Sequence, residues 1–300
     1  MKILLLGKNG QLGWELQRSL SVLGNVIALG STPENGLCGN LADETQLRAT
    51  IRRIAPDVIV NAGAYTAVDK AETETELAMR INGHAPGILA EEAKRLDAWL
   101  VHYSTDYVFD GSGQQAWREI DEPRPLNVYG HTKLIGERAL QATWHKHLIF
   151  RTSWVHGLHG NNFMKIMLRL GHERESLSVV NDQFGAPTSA SLLAGVTVRA
   201  LITVQDNADA AGLYHLAAAG ETNWFDYARC IFRTATESGI SLRVGADDLI
   251  PIPSSAYHTP AMRPKNSRLD TARVKNMFGL VLPHWEDDVV TEVRALCANA

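Results

Sequence analysis

Near its start the chain reads Lys2-Ile3-Leu4-Leu5-Leu6-Gly7-Lys8-Asn9-Gly10-Gln11-Leu12-Gly13, and the prediction of its fold starts from these residues. The apolar run at its start predicts a short strand that is buried on both faces, as in a parallel sheet. Its glycines predict a tight turn, and the segment 14–20 that follows is predicted to be a helix. A strand, a glycine turn and a helix N-terminus form a cradle for a pyrophosphate, because the backbone can approach the anion closely. This order therefore predicts a dinucleotide-binding unit at the start of the chain.

Apolar runs of the same kind recur through the first half of the chain and alternate with helical segments. This alternation predicts an α/β fold with a doubly wound parallel sheet. Polar clusters follow several of the runs, at the strand ends where sheets of this kind bind ligands. The strands predicted here are 2–6, 25–29, 57–61, 98–104 and 147–151, and one more short strand is expected to end at Asn40 and Leu41.

The second half of the chain is less regular, which predicts a division into two parts. We expect a dinucleotide-binding domain over 1–150 and a smaller, mixed domain, mainly for substrate, over 151–300. Part of the latter, about 175–220, is expected to fold back onto the sheet, with a strand at 212–216 as the candidate to rejoin it.

Three local features complete this outline. The segment 72–95 is predicted to be helical, with an interruption around Gly83 to Gly87. The segment 285–300 is predicted to be a terminal helix. The prolines between Pro251 and Pro264 predict an irregular surface loop.

Composition limits the classes of function. A net charge of −4 and a pI near 6.3 give no general attraction for nucleic acid. The three cysteines, Cys38, Cys230 and Cys297, lie far apart, which argues against a disulfide framework and fits a reducing cytosol. No apolar run reaches membrane-spanning length, and the N-terminus has no signal-peptide pattern. We therefore expect a cytoplasmic protein with neither a nucleic-acid nor a membrane partner.

Two strand ends carry residues suited to a flat cofactor. The small residues Ala62-Gly63-Ala64 let a ligand lie against the backbone after the strand 57–61. An NAD-preferring site usually has an acidic residue at the end of the second strand, where Gly30-Ser31 stands instead. This pair would not repel a 2′-phosphate, yet no arginine stands beside it to bind one. The sequence thus predicts tolerance of NADPH and use of both cofactors.

Tyr129 and Lys133 lie four residues apart in a predicted helix, and therefore on one of its faces. A neighbouring ammonium group stabilises a phenolate and lowers the pKa of a tyrosine, so that the hydroxyl can exchange a proton with a carbonyl oxygen. Thr105, just after the strand 98–104, can hydrogen-bond the same oxygen. The alternatives are an ordinary exposed helix pair for Tyr129 and Lys133, and a strand-end cap for Thr105.

Longer motifs accompany these residues along nearly the whole chain. They are Gly7–Gly13, Ala64–Glu72, Ser104–Phe109, Tyr129 with Lys133, Arg151–Trp154, Asn181–Thr188 and Arg263–Ser267. With them the chain resembles the extended short-chain dehydrogenases/reductases, and more closely the dTDP-4-dehydrorhamnose reductase family. The resemblance implies a Rossmann-type fold with a smaller C-terminal substrate-binding domain. It also implies NADPH- or NADH-dependent reduction of the C4 ketone of dTDP-4-dehydro-6-deoxy-L-mannose to dTDP-L-rhamnose, for polysaccharides such as O-antigen.

The resemblance also implies roles for residues. Tyr129 would donate the proton to the C4 oxygen, Thr105 would hold that oxygen, and Lys133 would lower the pKa of Tyr129 and bind the nicotinamide ribose. Arg263 is the candidate contact to the substrate diphosphate, since a guanidinium suits bidentate binding. The implied cofactor-binding residues are Gly7, Gly10, Gln11, Leu12, Gly13, Asn40, Leu41, Ala62, Gly63, Ala64, Tyr65, Thr66, Tyr103, Tyr129 and Lys133. The implied substrate-binding residues are Val68, Thr105, Asp106, Tyr107, Trp154, Arg263 and Asn266.

The chain departs from the family pattern at a metal site. Some members bind Mg²⁺ through carboxylates at a dimer interface. Glu15 and Glu292 are candidate ligands here, but Ser191 stands where the third carboxylate is expected. This departure argues against magnesium dependence and against that mode of dimerisation, so Mg²⁺ and a homodimer remain candidates only.

Two other functions stay open on the sequence. One is a related nucleotide-sugar enzyme, an epimerase or a 4,6-dehydratase, although a dehydratase is expected to have a glutamate where Tyr107 stands. The other is a non-catalytic binding module, since the regulatory subunit of some methionine adenosyltransferases resembles this family. Intact Thr105, Tyr129 and Lys133 favour catalysis.

Overall fold

The apolar runs of the first half become the strands of one parallel sheet in the computed structural model, which describes residues 1–298. The last two residues of the predicted domain 151–300 and of the predicted helix 285–300 lie outside the described residues. The elements of the first half are, in chain order, β1 (Lys2–Leu6), α1 (Gln11–Ser19), β2 (Asn25–Leu29), α2 (Glu44–Ile54), β3 (Val58–Asn61), α3 (Val68–Ala71), α4 (Thr75–Ala78), a π-helix (Met79–His84), α5 (Ala85–Leu96), β4 (Trp99–Thr105), α6 (Val128–Thr143) and β5 (His147–Thr152).

The second half contributes shorter strands and the remaining helices. They are β6 (Val155–His156), α7 (Phe163–Glu173), β7 (Leu177–Val180), β8 (Phe184–Gly185), β9 (Thr188–Ser189), α8 (Ala190–Asp206), β10 (Gly212–His215), β11 (Thr222–Asn223), α9 (Trp224–Glu237), β12 (Leu249–Ile252), α10 (Ala272–Phe278) and α11 (Trp285–Cys297). Short 3₁₀ segments lie at Leu20–Val22, Asp106–Val108, Ala208–Ala210 and Ser254–Ala256. None of the helices within 1–298 combines the length and apolar character needed to cross a bilayer.

The central sheet has the strand order β10-β5-β4-β3-β1-β2, and all neighbouring strands are parallel. The chain runs from β1 outward to β2 and then returns to β3 on the other side of β1. Such a reversal opens a crevice at the carboxyl ends of the strands, where ligands bind. The predicted α/β fold with a doubly wound parallel sheet is confirmed.

Alternation along the strands builds a separate core on each face of the sheet. Ile3 and Leu5 face a cluster with residues of α1 and α8, whereas Leu4 and Leu6 face one with residues of α2 and α5. This follows from the period of two along a strand. A third cluster, around Ile231, joins α7, α9 and α11.

The structure corrects the expected strand before Leu41. Between β2 and α2 the backbone makes only one isolated bridge, Glu34 to Leu37, so β3 is the strand that follows β2. The segment is instead held by single bonds, such as that from the Gly39 N–H to the Gly30 carbonyl, 3.1 Å long. Asn40 and Leu41 therefore lie in a loop beside the sheet edge.

Two further local expectations were wrong. The predicted helix 72–95 is broken at 72–74, between α3 and α4, and not around Gly83 to Gly87, where the π-helix leads directly into α5. Both glycines serve close packing: a Cβ on Gly87 would lie 3.2 Å from Ala139 Cβ on α6. Pro251 lies in β12, which pairs with β7, rather than in a loop. An edge strand tolerates proline because the missing N–H is not needed for a second neighbour.

Candidate functional site

The glycine turn between β1 and α1 is shaped for close approach of a ligand. Gly7 has a φ of +86°, and a Cβ there would lie 2.5 Å from the backbone nitrogen of Gly63. A Cβ on Gly13 would collide with the Gly7 carbonyl oxygen. Gly10, the residue before α1, has no side chain to cap the helix, so the first N–H groups face outward. The turn fits a pyrophosphate, because glycine backbone without side chains and the N-terminus of α1 lie next to the same space.

A cleft of about 770 Å³ opens from this turn across the carboxyl ends of β3, β4 and β5. Sites of this size hold ligands as large as a cofactor. Most of the residues predicted for cofactor, substrate and catalysis line this cleft. They are Gly7, Gly10, Gln11, Leu12, Ala62, Gly63, Ala64, Thr66, Val68, Tyr103, Thr105, Asp106, Tyr107, Tyr129, Lys133 and Trp154.

A smaller cavity of about 190 Å³ adjoins the cleft on the β2 side. The two share backbone of the glycine turn, including Gly7 and Gly10. Asn40 and Leu41 line this smaller cavity, together with Gly30 and Ser31. Asn40 and Leu41, which are predicted to bind the cofactor, thus lie next to the glycine turn.

The start of α6 places Tyr129 in the cleft. Asn127 caps the helix, since its Oδ1 accepts a hydrogen bond from the Gly130 N–H at 2.8 Å. Gly130 packs its backbone against the Tyr107 carbonyl, where a Cβ would collide. Burial raises the pKa of Tyr129 to about 12, and a hydrogen bond with the Thr105 side chain offsets part of this rise. At neutral pH the phenol therefore keeps its proton and lies beside the Thr105 hydroxyl.

Lys133 lies one turn further along α6 and is buried. Its Nζ donates to the Tyr103 carbonyl at 2.5 Å and lies 3.4 Å from His102 Nε2. Burial lowers the pKa of Lys133 to about 8, while the Glu137 carboxylate partly offsets this. The expected lowering of the Tyr129 pKa is not seen: burial sets that pKa, and the Lys133 ammonium faces the β4 backbone.

Asp106 begins the short helix after β4 and is buried beside the same hydroxyls. Burial raises the pKa of its carboxyl to about 7, and hydrogen bonds from Ser267 and Thr105 offset part of the rise. Its Oδ1 accepts from Thr105 Oγ1 at 3.1 Å, whereas Oδ2 has no partner among the described residues. A buried oxygen without a partner at a cleft wall is a candidate acceptor for a sugar hydroxyl.

Two tryptophans form one wall of the cleft. Trp154 has a φ of +47° and stacks on Trp224, with ring centroids 3.8 Å apart and planes 17° from parallel. A Cβ on Gly185 would lie 2.9 Å from the Trp154 ring, so the glycine makes room for it. The strained backbone of Trp154 is held by this packing and turns the ring into the cleft.

Arg263, the candidate contact to the substrate diphosphate, forms an ion pair with Asp69. Its guanidinium binds Asp69 in a bidentate manner, at 2.9 and 2.7 Å, and also donates to the Ala261 carbonyl at 2.9 Å. These contacts join α3 to the loop before α10. Arg263 is outside the residues that line the cleft. Its guanidinium is hydrogen-bonded to the Asp69 carboxylate.

Asn266, Tyr65 and Gly13 are also outside the residues that line the cleft. The amide of Asn266 is buried and binds backbone carbonyls of Ser112 and Gln115, so it holds the loop after β4 rather than facing a ligand. The Tyr65 hydroxyl donates to Glu74 at 2.7 Å. Gly13 supports the glycine turn from within. The cofactor and substrate roles of these three residues stay predictions.

The candidate metal ligands are engaged by other side chains. Glu292 is hydrogen-bonded to His156 Nδ1 at 2.7 Å, and Glu15 pairs with Arg18 at 3.2 Å. Ser191 is hydrogen-bonded to Ser189. Across residues 1–298, no three His, Cys, Asp or Glu side chains come together in a way that could hold a metal ion.

Several residues of the cleft were missed by the sequence reasoning. Ser104 and Thr152 stand at strand ends, as Thr105 does, so they could have been predicted for the same reason. Asn9 belongs to the glycine turn itself, whereas the others come from the second half of the chain, where no motif signals the contact. The full set is Asn9, Ser104, Thr152, Val155, Gly160, Asn161, Leu193 and Trp224.

Comparison with known proteins agrees with this geometry. The family model described as RmlD substrate binding domain matches residues 1–297. The dTDP-4-dehydrorhamnose reductase of Salmonella typhimurium is 54% identical over 286 residues, which cover 95% of each chain. The crystal structure of a dTDP-4-dehydrorhamnose reductase from Clostridium acetobutylicum is similar with a TM-score of 0.87, at 35% identity over 99% of both chains. That of the Bacillus anthracis dTDP-4-dehydrorhamnose reductase in complex with NADP gives 0.85, at 32% identity over 100% of this chain and 99% of that one. The chain therefore belongs to the RmlD family of dTDP-4-dehydrorhamnose reductases, as its motifs predicted.

Proposed function

We propose that this protein reduces the C4 ketone of dTDP-4-dehydro-6-deoxy-L-mannose to dTDP-L-rhamnose, with NADPH or NADH. The main support is that the hydroxyls of Tyr129 and Thr105 lie side by side in the cleft that starts at the glycine turn. Relatives at 54% and 44% identity carry the name of this activity. A related structure contains NADP.

The bound nicotinamide cofactor supplies the hydride that adds to C4. Tyr129 gives its phenolic proton to the C4 oxygen, which turns the ketone into an alcohol. The raised pKa of Tyr129 suits this role, because a donor must hold its proton before the reaction. Thr105 orients the C4 oxygen and then stabilises the phenolate that remains. The nicotinamide ribose is the proposed ligand of Lys133, which lines the cleft and whose Nζ also donates to the Tyr103 carbonyl.

The substrate sugar is proposed to lie between the strand ends and the tryptophan wall. Asp106 offers its free Oδ2 to a sugar hydroxyl, and Trp154 and Trp224 pack against the apolar face of the ring. Val68 and Tyr107 line the same space. A pocket of this composition combines a flat apolar surface with one directed polar group, as sugar sites require.

We infer the division of the chain from the same arrangement. Residues 1–150 are proposed to bind the cofactor and 151–300 mainly the nucleotide sugar, with β10 returning to the sheet. A cytoplasmic location, no nucleic-acid partner and a homodimer are proposed as well; the net charge of −4 supports the second of these.

The test is oxidation of NADPH and NADH in the presence of dTDP-4-dehydro-6-deoxy-L-mannose, followed by absorbance, with the product identified by NMR. We expect turnover by the wild type and a loss of roughly 10²-fold or more in kcat for Tyr129→Phe. Tyr257→Phe, at a half-exposed position, is the matched control. A wild type that binds cofactor yet consumes neither form, with and without Mg²⁺, would overturn the proposal.

A further inference from the structure

The adenosine end of the glycine turn contains a basic residue that the reaction does not use. The backbone N–H of Lys8 donates to the Leu29 carbonyl at the end of β2, 3.2 Å away. Gly30 and Ser31 follow this strand and line the smaller cavity. A Cβ on Gly30 would lie 3.7 Å from Lys8 Cε and 2.9 Å from the Asn9 amide. The lysine stem therefore passes directly beside the strand end.

Glu34 holds the ammonium group of Lys8 at this position. Nζ lies 2.8 and 2.7 Å from the two carboxylate oxygens. The Glu34 side chain is 49% exposed and belongs to a turn closed by its bridge to Leu37. Arg53 donates to the Gly36 carbonyl of the same turn at 3.2 Å, so a second cation lies nearby. An ion pair this exposed contributes little to stability and can exchange its partner easily.

The chemistry at this corner favours a phosphate over a bare ribose. In sheets of this type the adenosine ribose lies at the end of the second strand, where an acidic residue would bind its hydroxyls and repel a 2′-phosphate. Gly30 supplies no such carboxylate, and Lys8, Ser31 and Asn9 supply donors. A dianionic phosphate forms stronger, charge-assisted bonds to an ammonium group than a neutral hydroxyl does.

We propose that Lys8 selects NADPH over NADH by exchanging the Glu34 carboxylate for the 2′-phosphate of the cofactor. Ser31 and Asn9 add hydrogen bonds to the phosphate. Glu34 competes for the same ammonium group, which limits the preference and leaves NADH usable. This inference rests on the proposed function, since it requires that the chain bind a nicotinamide dinucleotide.

The test is calorimetric titration of the full-length protein with NADP⁺ and with NAD⁺. We expect Lys8→Met to raise the Kd for NADP⁺ roughly 10-fold or more, because a charge-assisted contact is lost, and to change the Kd for NAD⁺ less than about 2-fold. Glu34→Gln should lower the Kd for NADP⁺, and Gly30→Asp should raise it while lowering that for NAD⁺. Lys94→Met, at an exposed position on α5, is the matched control.

The outcomes separate this inference from the proposed function. Equal weakening of both dinucleotides by Lys8→Met, or no change in either, overturns the role of Lys8. If that variant does not fold, Glu34→Gln and Gly30→Asp decide: an unchanged ratio of the two Kd values in both also overturns it. A wild type that binds neither dinucleotide overturns the proposed function itself, whatever the variants do.

Discussion

Burial controls the ionisation of Asp106. Its carboxyl has a pKa of about 7 against an ordinary 3.8, because the ionised form loses hydration inside the cleft wall. A carboxyl whose pKa is higher in the folded chain than in the unfolded chain binds an extra proton when folded, between about pH 4 and 7. Folding therefore becomes less favourable as the pH rises through that range.

We expect this cost to disappear in Asp106→Asn. Between pH 5 and pH 8 the free energy of unfolding of the wild type should fall by about 2 kcal/mol more than that of the variant. Urea denaturation at both pH values measures the difference. Asp247→Asn is the control, since the Asp247 side chain is 92% exposed. Identical pH dependence in wild type and Asp106→Asn would contradict the assignment.

The sequence predicted largely which residues meet in the cleft. It did not predict their pKa values. Thr105, Tyr129 and Lys133 were found because polar groups at strand ends and a four-residue spacing follow directly from the sequence. The rise in the Tyr129 pKa comes from burial, and the hydrogen bond with the Thr105 side chain offsets part of it. Both are consequences of tertiary packing, which spacing along one helix does not contain.

Helix α6 is positioned by backbone contacts at its glycines. A Cβ on Gly136 would collide with the Asn82 carbonyl of the π-helix and lie 2.9 Å from Pro86. Since backbone cannot move aside easily, we expect Gly136→Ala to lower the free energy of unfolding by roughly 2 kcal/mol. Because α6 carries Tyr129, the variant should also lose activity.

Gly195 provides the matched control for this effect. It lies in α8 with nothing within 4 Å of a Cβ placed on it. Gly195→Ala should therefore raise the free energy of unfolding by about 0.5–1 kcal/mol, since alanine has the higher helix propensity. Urea denaturation of both variants checks the pair. Equal effects of the two substitutions would show that the contact with Asn82 does not matter.

Elements were predictable where one signal dominated. Buried parallel strands such as β1 and β3 are continuous apolar runs, so their positions were found within a residue. The predictions at Gly83 and Pro251 were wrong because glycine and proline usually interrupt helices and strands. In the structure the first permits packing on α6 and the second sits at a sheet edge. Such uses depend on a neighbour that is distant in sequence.

At the scale of the whole molecule, both halves of the chain contribute residues to the cleft. β10 pairs with β5, Gly212 lying opposite Leu148, and so completes the sheet from the second half. Trp224 closes the wall on Trp154. The loop before α10 reaches back to the first half, where the Asn127 amide donates to the Met262 carbonyl at 2.7 Å. The sequence indicated that the halves cooperate, but it did not contain the pairs that join them.

The ion pair between Arg263 and Asp69 lies at this junction, and we expect Arg263 to fix the loop before α10 to α3 rather than to bind the diphosphate. If so, Asp69→Asn and Arg263→Met should weaken dTDP binding by similar factors, roughly 3- to 10-fold, and the double variant should lose little more. If Arg263 instead binds the diphosphate, Asp69→Asn should leave binding intact or strengthen it, because the guanidinium is released. Calorimetric titration with dTDP distinguishes the two, with Arg124→Met, whose side chain is 69% exposed, as the control. We expect similar weakening by both variants, since the Asp69 carboxylate already binds the Arg263 guanidinium in a bidentate manner. Asp69 also accepts from the Ala261 N–H, so the loop before α10 is held on α3.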